Sequence, residues 1–262
     1  MSRTTTENAA AKAVKKPGKV GEKRGSAARA FECRFTPGSL DHILFVLGEL
    51  DAVYGFGALP TDAYATGEPL DGLMLTLLSQ NTNDRNRDMA YNALRAKHPS
   101  WADVAALSPP SVAGLIKSAG LGDTKAARMI EILDKIYGDF GDFSLKKLFE
   151  WEPGRVREYL LALPGIGPKT VACVMAFDLG MPAFPVDTHV ARISRRLGWA
   201  SEKTPPHKIQ DFLEATVPPE YCGAGHLNMI EHGRKVCRAR NPLCGGCPVS
   251  AACPRQKMEA AE

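Results

Sequence analysis

Between residues 163 and 170 the chain reads Leu-Pro-Gly-Ile-Gly-Pro-Lys-Thr, and this stretch restricts the fold more than any other. A helical run, Val156 to Leu161, precedes it. Two glycines separated by one apolar residue give a tight turn whose backbone amides stay free to face a ligand. Pro168 suits the first position of a second helix, where its missing N–H is not needed. That helix is predicted to run to about Leu179, with Gly180 as its stop and Pro182 beyond. In such an arrangement the hairpin amides and a helix N-terminus hold a nucleic-acid phosphate, which makes Gly165 and Gly167 candidate DNA contacts.

From Val171 to Leu179 the second helix is almost wholly apolar and is expected to be buried nearly all round. Lys169, in its first turn, is out of place there. The positive end of the helix dipole and partial burial both favour the uncharged amine, which is the nucleophilic form. Eighteen positions later, Val186-Asp187-Thr188-His189 brings a carboxylate that could work with the amine. The same two residues also read as a phosphate-binding lysine and an N-capping aspartate. His189 reads as a packed, hydrogen-bonded histidine.

The seven cysteines are Cys33, Cys173, Cys222, Cys237, Cys244, Cys247 and Cys253. The last four form one compact run, with six, two and five residues between successive members. Four thiolates so placed suit zinc or a [4Fe–4S] cluster. Two pairs with short internal spacing would be the usual zinc pattern, and only Cys244 and Cys247 fit it. Cys173 reads as core, whereas Cys33 and Cys222 carry no signal. Arg238 and Arg240, between the first two cysteines of the run, would aim guanidinium groups at DNA phosphates.

Together, and in this order, the hairpin, the Val-Asp-Thr-His segment and the cysteine run resemble the endonuclease III family of helix-hairpin-helix DNA glycosylases and AP lyases. The similarity spans about Leu73 to Cys253. It implies that Lys169 is a Schiff-base nucleophile, that Asp187 is the essential carboxylate, and that Cys237, Cys244, Cys247 and Cys253 hold a structural [4Fe–4S] cluster. The partner would be double-stranded DNA carrying damaged bases or abasic sites, the substrate an oxidised or ring-saturated pyrimidine. Such a base must be flipped out, because its glycosidic carbon is inaccessible in the stack, and β-elimination would then nick the strand.

The resemblance implies two further contacts. An ungapped match puts Asn81 where family members commonly have a glutamine that fills the gap left by the flipped base, with Gln80 beside it. The bland alternative is that the polar cluster Ser79 to Asp84 only caps the next helix. Leu121, between Gly120 and Gly122, matches a leucine wedge that enters the base stack; the alternative is a leucine folded back as a hydrophobic staple. Two other functions compete. One is a monofunctional glycosylase for mismatched adenine, thymine or uracil, a group that usually lacks the hairpin lysine. The other is a non-enzymatic DNA-binding module.

Charge is unevenly spread. Residues 1–30 carry eight Lys/Arg and two Glu against a net +4 for the whole chain, so the remainder is slightly acidic. DNA affinity must then come from local patches. Residues 1–30 lack apolar periodicity and are expected to be a disordered basic tail. No apolar run approaches the roughly 18 residues of a membrane span and no signal peptide is recognisable, so the reading is a cytoplasmic, nucleoid-associated monomer. With 44% hydrophobic residues the chain can bury real cores. About ten helices and no strand alternation predict an all-α, two-domain fold. One domain is a helical bundle, 70–183, that contains the hairpin. The other is discontinuous, 31–69 with 184–262, and carries the cysteine run.

Overall fold

Prolines and polar caps decide where the helices begin. In the computed structural model the described residues are 35–57 and 67–255; the basic stretch 1–30, Cys33 and 58–66 lie outside them. Their regular structure is wholly helical. Eleven α-helices run in the order α1 (Leu40–Tyr54), α2 (Pro69–Ser79), α3 (Asp84–Lys97), α4 (Trp101–Ala105), α5 (Pro109–Leu115), α6 (Gly122–Phe140), α7 (Pro153–Leu161), α8 (Pro168–Phe177), α9 (Thr188–Arg196), α10 (Pro206–Thr216) and α11 (Pro219–Lys235). Six of these open with a proline in the first turn, where no N–H is needed. Four others are capped by Ser39, Asn83, Ser100 and Asp187, whose side chains accept backbone N–H groups. Among the described helices α6 alone has neither device.

The described residues form one compact unit by backbone contacts, and within it the buried apolar side chains fall into two clusters. The first gathers α2 to α8, with Leu73, Leu77, Met129, Ile132, Val171 and Val174 at its centre, and ends at Ala183. The second joins α1 to α9, α10 and α11 through Ile43, Leu50, Val190, Ile209 and Met229, and takes up the chain again at Phe184. No described helix is long and apolar enough to cross a membrane.

α8 is the axis of the first cluster. Thr170 to Ala176 are all buried, and fully burying each valine or methionine is worth about 1.5–3 kcal/mol. The helix ends at Phe177, two residues before the sequence suggests, with Asp178 as its C-cap. The buried Asp178 carboxylate lies over Gly72 of α2, where any Cβ would collide with it. A glycine there lets α2 and α8 pack closely.

Candidate active site and nucleic-acid interface

The hairpin joins α7 to α8. Gly165 has φ +70°, a left-handed conformation that favours glycine, and the Arg128 side chain of α6 lies directly over it. Gly167 is the N-cap of α8, and a Cβ added there would meet nothing within 4 Å. The first-turn amides of α8 therefore open onto unfilled space, which suits an anion.

Lys169 sits half-buried in that first turn, and Asp187 half-buried at the start of α9. Two buried groups interact electrostatically with both. Cys173, one turn along α8, is 6% exposed. Burial pushes its thiol pKa up, the Lys169 amine opposes this by charge and by a hydrogen bond to the thiol, and Asp178 and Asp187 add to the rise. His226 of α11 is 2% exposed. Burial and then the Lys169 charge push its imidazole down to about 4, against the pull of Asp187 and of a hydrogen bond with the Pro185 carbonyl; the Nδ1–O distance is 2.8 Å. Amine, carboxylate, thiol and imidazole, carried by α8, the start of α9 and α11, thus lie within electrostatic reach of one another.

Asp187 is an N-cap, as the sequence allowed. Both bonds use one oxygen: Oδ1 accepts from the His189 and Val190 amides, each at 2.8 Å. The cap therefore leaves Oδ2 for other work. His189 points elsewhere, its Nδ1 3.0 Å from Arg192 Nη2.

The residues read as DNA contacts occupy three places. Gln80, the C-cap of α2, turns its amide toward the hairpin, Nε2 lying 3.5 Å from the Gly165 carbonyl. Asn81 next to it is exposed and left-handed (φ 54°), a conformation asparagine tolerates better than most residues. Leu121 is 59% exposed and also left-handed (φ 51°), so it is not folded back as a staple. Arg238 and Arg240 are exposed on the cysteine loop.

That loop is fastened by two arginines of α9, Arg192 and Arg196. Arg192 donates to the carbonyls of Gly233 (3.0 Å) and Cys237 (2.9 Å). Arg196 donates to the carbonyls of Arg238 (2.7 Å) and Ala239 (3.1 Å), and to Cys237 Sγ at 3.2 Å. Their i, i+4 spacing puts both on one face of α9, the signal that could have revealed them.

Cys237, Cys244, Cys247 and Cys253 line one cavity of about 30 Å³, walled otherwise mainly by Ile193, Leu197, Val236, Pro242 and Val249. A single water needs about 10–15 Å³. Among the described residues no group of three or more His, Cys, Asp or Glu side chains is drawn together closely enough to hold a metal ion as it stands. The donor set nevertheless fits a thiolate-bound centre. Burial pushes the Cys247 thiol up to about 11; a hydrogen bond with the Val249 backbone opposes the rise, and the other three cysteines add to it. Four cysteine side chains lining one cavity are the donors such a centre uses, and the Arg196 guanidinium faces one of them, Cys237 Sγ.

Residues 74–219 match the model of the HhH-GPD superfamily of base excision DNA repair proteins. That is more than half of the chain, and the chain belongs to this superfamily. Within it, the similarity is to endonuclease III. The Thermotoga maritima endonuclease III is 35% identical over 189 residues, covering 71% of this chain and 83% of that one. A putative DNA glycosylase of Arabidopsis thaliana is 33% identical over 189 residues, or 72% of this chain, which spans 62% of the length of that relative. Among solved structures, a non-covalent endonuclease III–DNA complex superposes with a TM-score of 0.70 at 27% identity, covering 86% of this chain and 99% of that one.

Proposed function

We propose that this enzyme is a bifunctional DNA glycosylase and AP lyase that removes oxidised pyrimidines from duplex DNA. The observation that carries the reading is the grouping of four ionisable side chains: an amine in the first turn of a buried helix interacts with a buried thiol and a buried imidazole, both of which also feel a carboxylate at the next helix N-terminus. Similarity to endonuclease III supports it, and the two core clusters would be two lobes with a pocket in the cleft between them.

In this mechanism a damaged base is flipped into the pocket. The neutral Lys169 Nζ attacks the sugar C1′, the glycosidic bond breaks, and the base leaves with the bonding pair. Asp187, through Oδ2, takes up the proton that the new C–N bond makes acidic and stabilises positive charge on the sugar. The sugar ring opens to a Schiff base, loss of a C2′ proton expels the 3′ phosphate, and water then releases Lys169. Leu121 wedges the stack, an amide of Gln80 or Asn81 fills the gap, and Gly165 and Gly167 amides with Arg238 and Arg240 hold phosphates. Cys237, Cys244, Cys247 and Cys253 would hold a [4Fe–4S] cluster, which when bound supplies structural closure of the loop and no step of the reaction.

Borohydride reduction fixes such a Schiff base. The wild-type protein is expected to give a covalent adduct on a thymine-glycol duplex, and Lys169→Ala none while still binding DNA through backbone amides. Base release without an adduct would favour the monofunctional mismatch glycosylase, and neither product the binding module. Trapping that survives Lys169→Ala would remove the lysine from its role.

A further inference from the structure

Lys125 is 1% exposed, one of the largest fully buried side chains in the protein. Its Nζ donates to two carbonyls, Leu78 O and Ala119 O, each at 2.8 Å. Burying an ammonium group costs several kcal/mol unless its hydrogen bonds are met, and an apolar side chain of similar length would fill the space without that cost. The position therefore uses the donor.

Each of the two carbonyls stands just ahead of a left-handed residue. Leu78 lies in the last turn of α2, whose carbonyls have no partner within the helix, and three residues on is Asn81. Ala119 ends the 3₁₀ turn 117–119, and two residues on is Leu121. Asn81 and Leu121 are two of the three described non-glycine residues with positive φ, and a left-handed backbone costs such residues about 1–2 kcal/mol. A conformation of that cost persists only when its surroundings hold it. No capping side chain helps at the start of α6, whose N-cap is Leu121 itself.

We propose that Lys125 is a positioning residue that sets the distance between the gap-filling segment at Asn81 and the wedge at Leu121, so that both enter the duplex together. The inference rests on the proposed glycosylase reading for the meaning of those two segments. Lys125 touches no reacting atom; it acts through the two loops.

Lys125→Met removes the donor at nearly constant volume, and Lys125→Gln keeps a shorter one. Two readouts separate positioning from chemistry. The first is fluorescence of 2-aminopurine beside a thymine glycol in duplex DNA, which rises when the stack opens and needs no bond cleavage. The second is borohydride trapping on the same lesion in duplex and on an abasic site in a single strand, where no stack has to open. For Lys125→Met the fluorescence rise is expected to shrink and duplex trapping to slow about tenfold or more, given that ~1 Å misplacements can cost about 10²-fold. Single-strand trapping should stay within about twofold of wild type on the same argument. In a Leu121→Ala background the lysine change should add little, because both act on one step. An equal loss on both substrates, full additivity with Leu121→Ala, or an unchanged fluorescence rise would overturn the proposal. So would failure of both variants to fold, judged by helical circular dichroism and cooperative melting, since Lys125 would then be a folding residue. A wild type that opens the stack but traps nothing would count against the lyase reading and leave the lysine assignment standing.

Discussion

His226 shows what burial beside a cation does to an ionisable side chain. Native His226 binds its proton only near pH 4, whereas the unfolded imidazole does so near 6.5. As pH falls between these values the unfolded state takes up a proton that the native state refuses, so stability declines across that window and not below it. The full span corresponds to at most about 3 kcal/mol. His232, also pushed down to about 4 by burial, slopes the same way, so the comparison must be with His226→Gln. The expected result is a smaller loss of urea midpoint between pH 7 and pH 5 in the variant than in the wild type. Equal losses would mean that His226 is not held neutral.

At the scale of elements, α9 separates two roles that the sequence left as alternatives. Asp187 caps the helix with Oδ1, which leaves Oδ2 outside the cap and available for the proposed reaction. Asp187→Asn retains a capping oxygen and loses the charge, so turnover should fall roughly 10²- to 10³-fold with little change in melting temperature. Asp187→Ala should lose similar activity and in addition about 1 kcal/mol of stability from the missing cap. If the two variants melt alike, the cap contributes nothing. Caps and prolines made helix starts legible in the sequence: α8 opens at Pro168 and α9 is capped by Asp187, both as expected. The five-residue α4 was not legible, because apolar periodicity needs a longer window, although its capping box of Ser100 and Asp103 was there to read. The early end of α8 came from tertiary packing, Asp178 against Gly72, which no local pattern announces. In the same way, motifs marked Lys169, Asp187 and the cysteines, but the neighbours that complete the group, Cys173 and His226, come from elements brought together only by the fold.

At the scale of the whole molecule the second cluster depends on the cysteine loop, since Cys237, Cys247 and Cys253 pack against it. The loop has only two short 3₁₀ turns, Cys244–Gly246 and Ser250–Ala252, too little regular structure to hold itself. If the four thiolates bind [4Fe–4S], the purified protein should be yellow-brown with broad absorbance toward the blue, and Cys244→Ser should lose iron and soluble yield together. A colourless protein with stoichiometric zinc would replace iron in this role. The net +4 is no guide to where DNA binds, because the chain outside residues 1–30 is slightly acidic.

α9 has one more consequence. At about 1.5 Å per residue, its nine residues make a strut of roughly 13 Å. The Asp187 carboxylate stands at one end, and the arginines that grip the thiol loop lie along its length and at the other end. A rod this short cannot bend to absorb an error. Under the proposed reading, disorder in the thiol loop should therefore be felt at Asp187, so that strand cutting falls in step with loss of order in a loop at the far end of the strut.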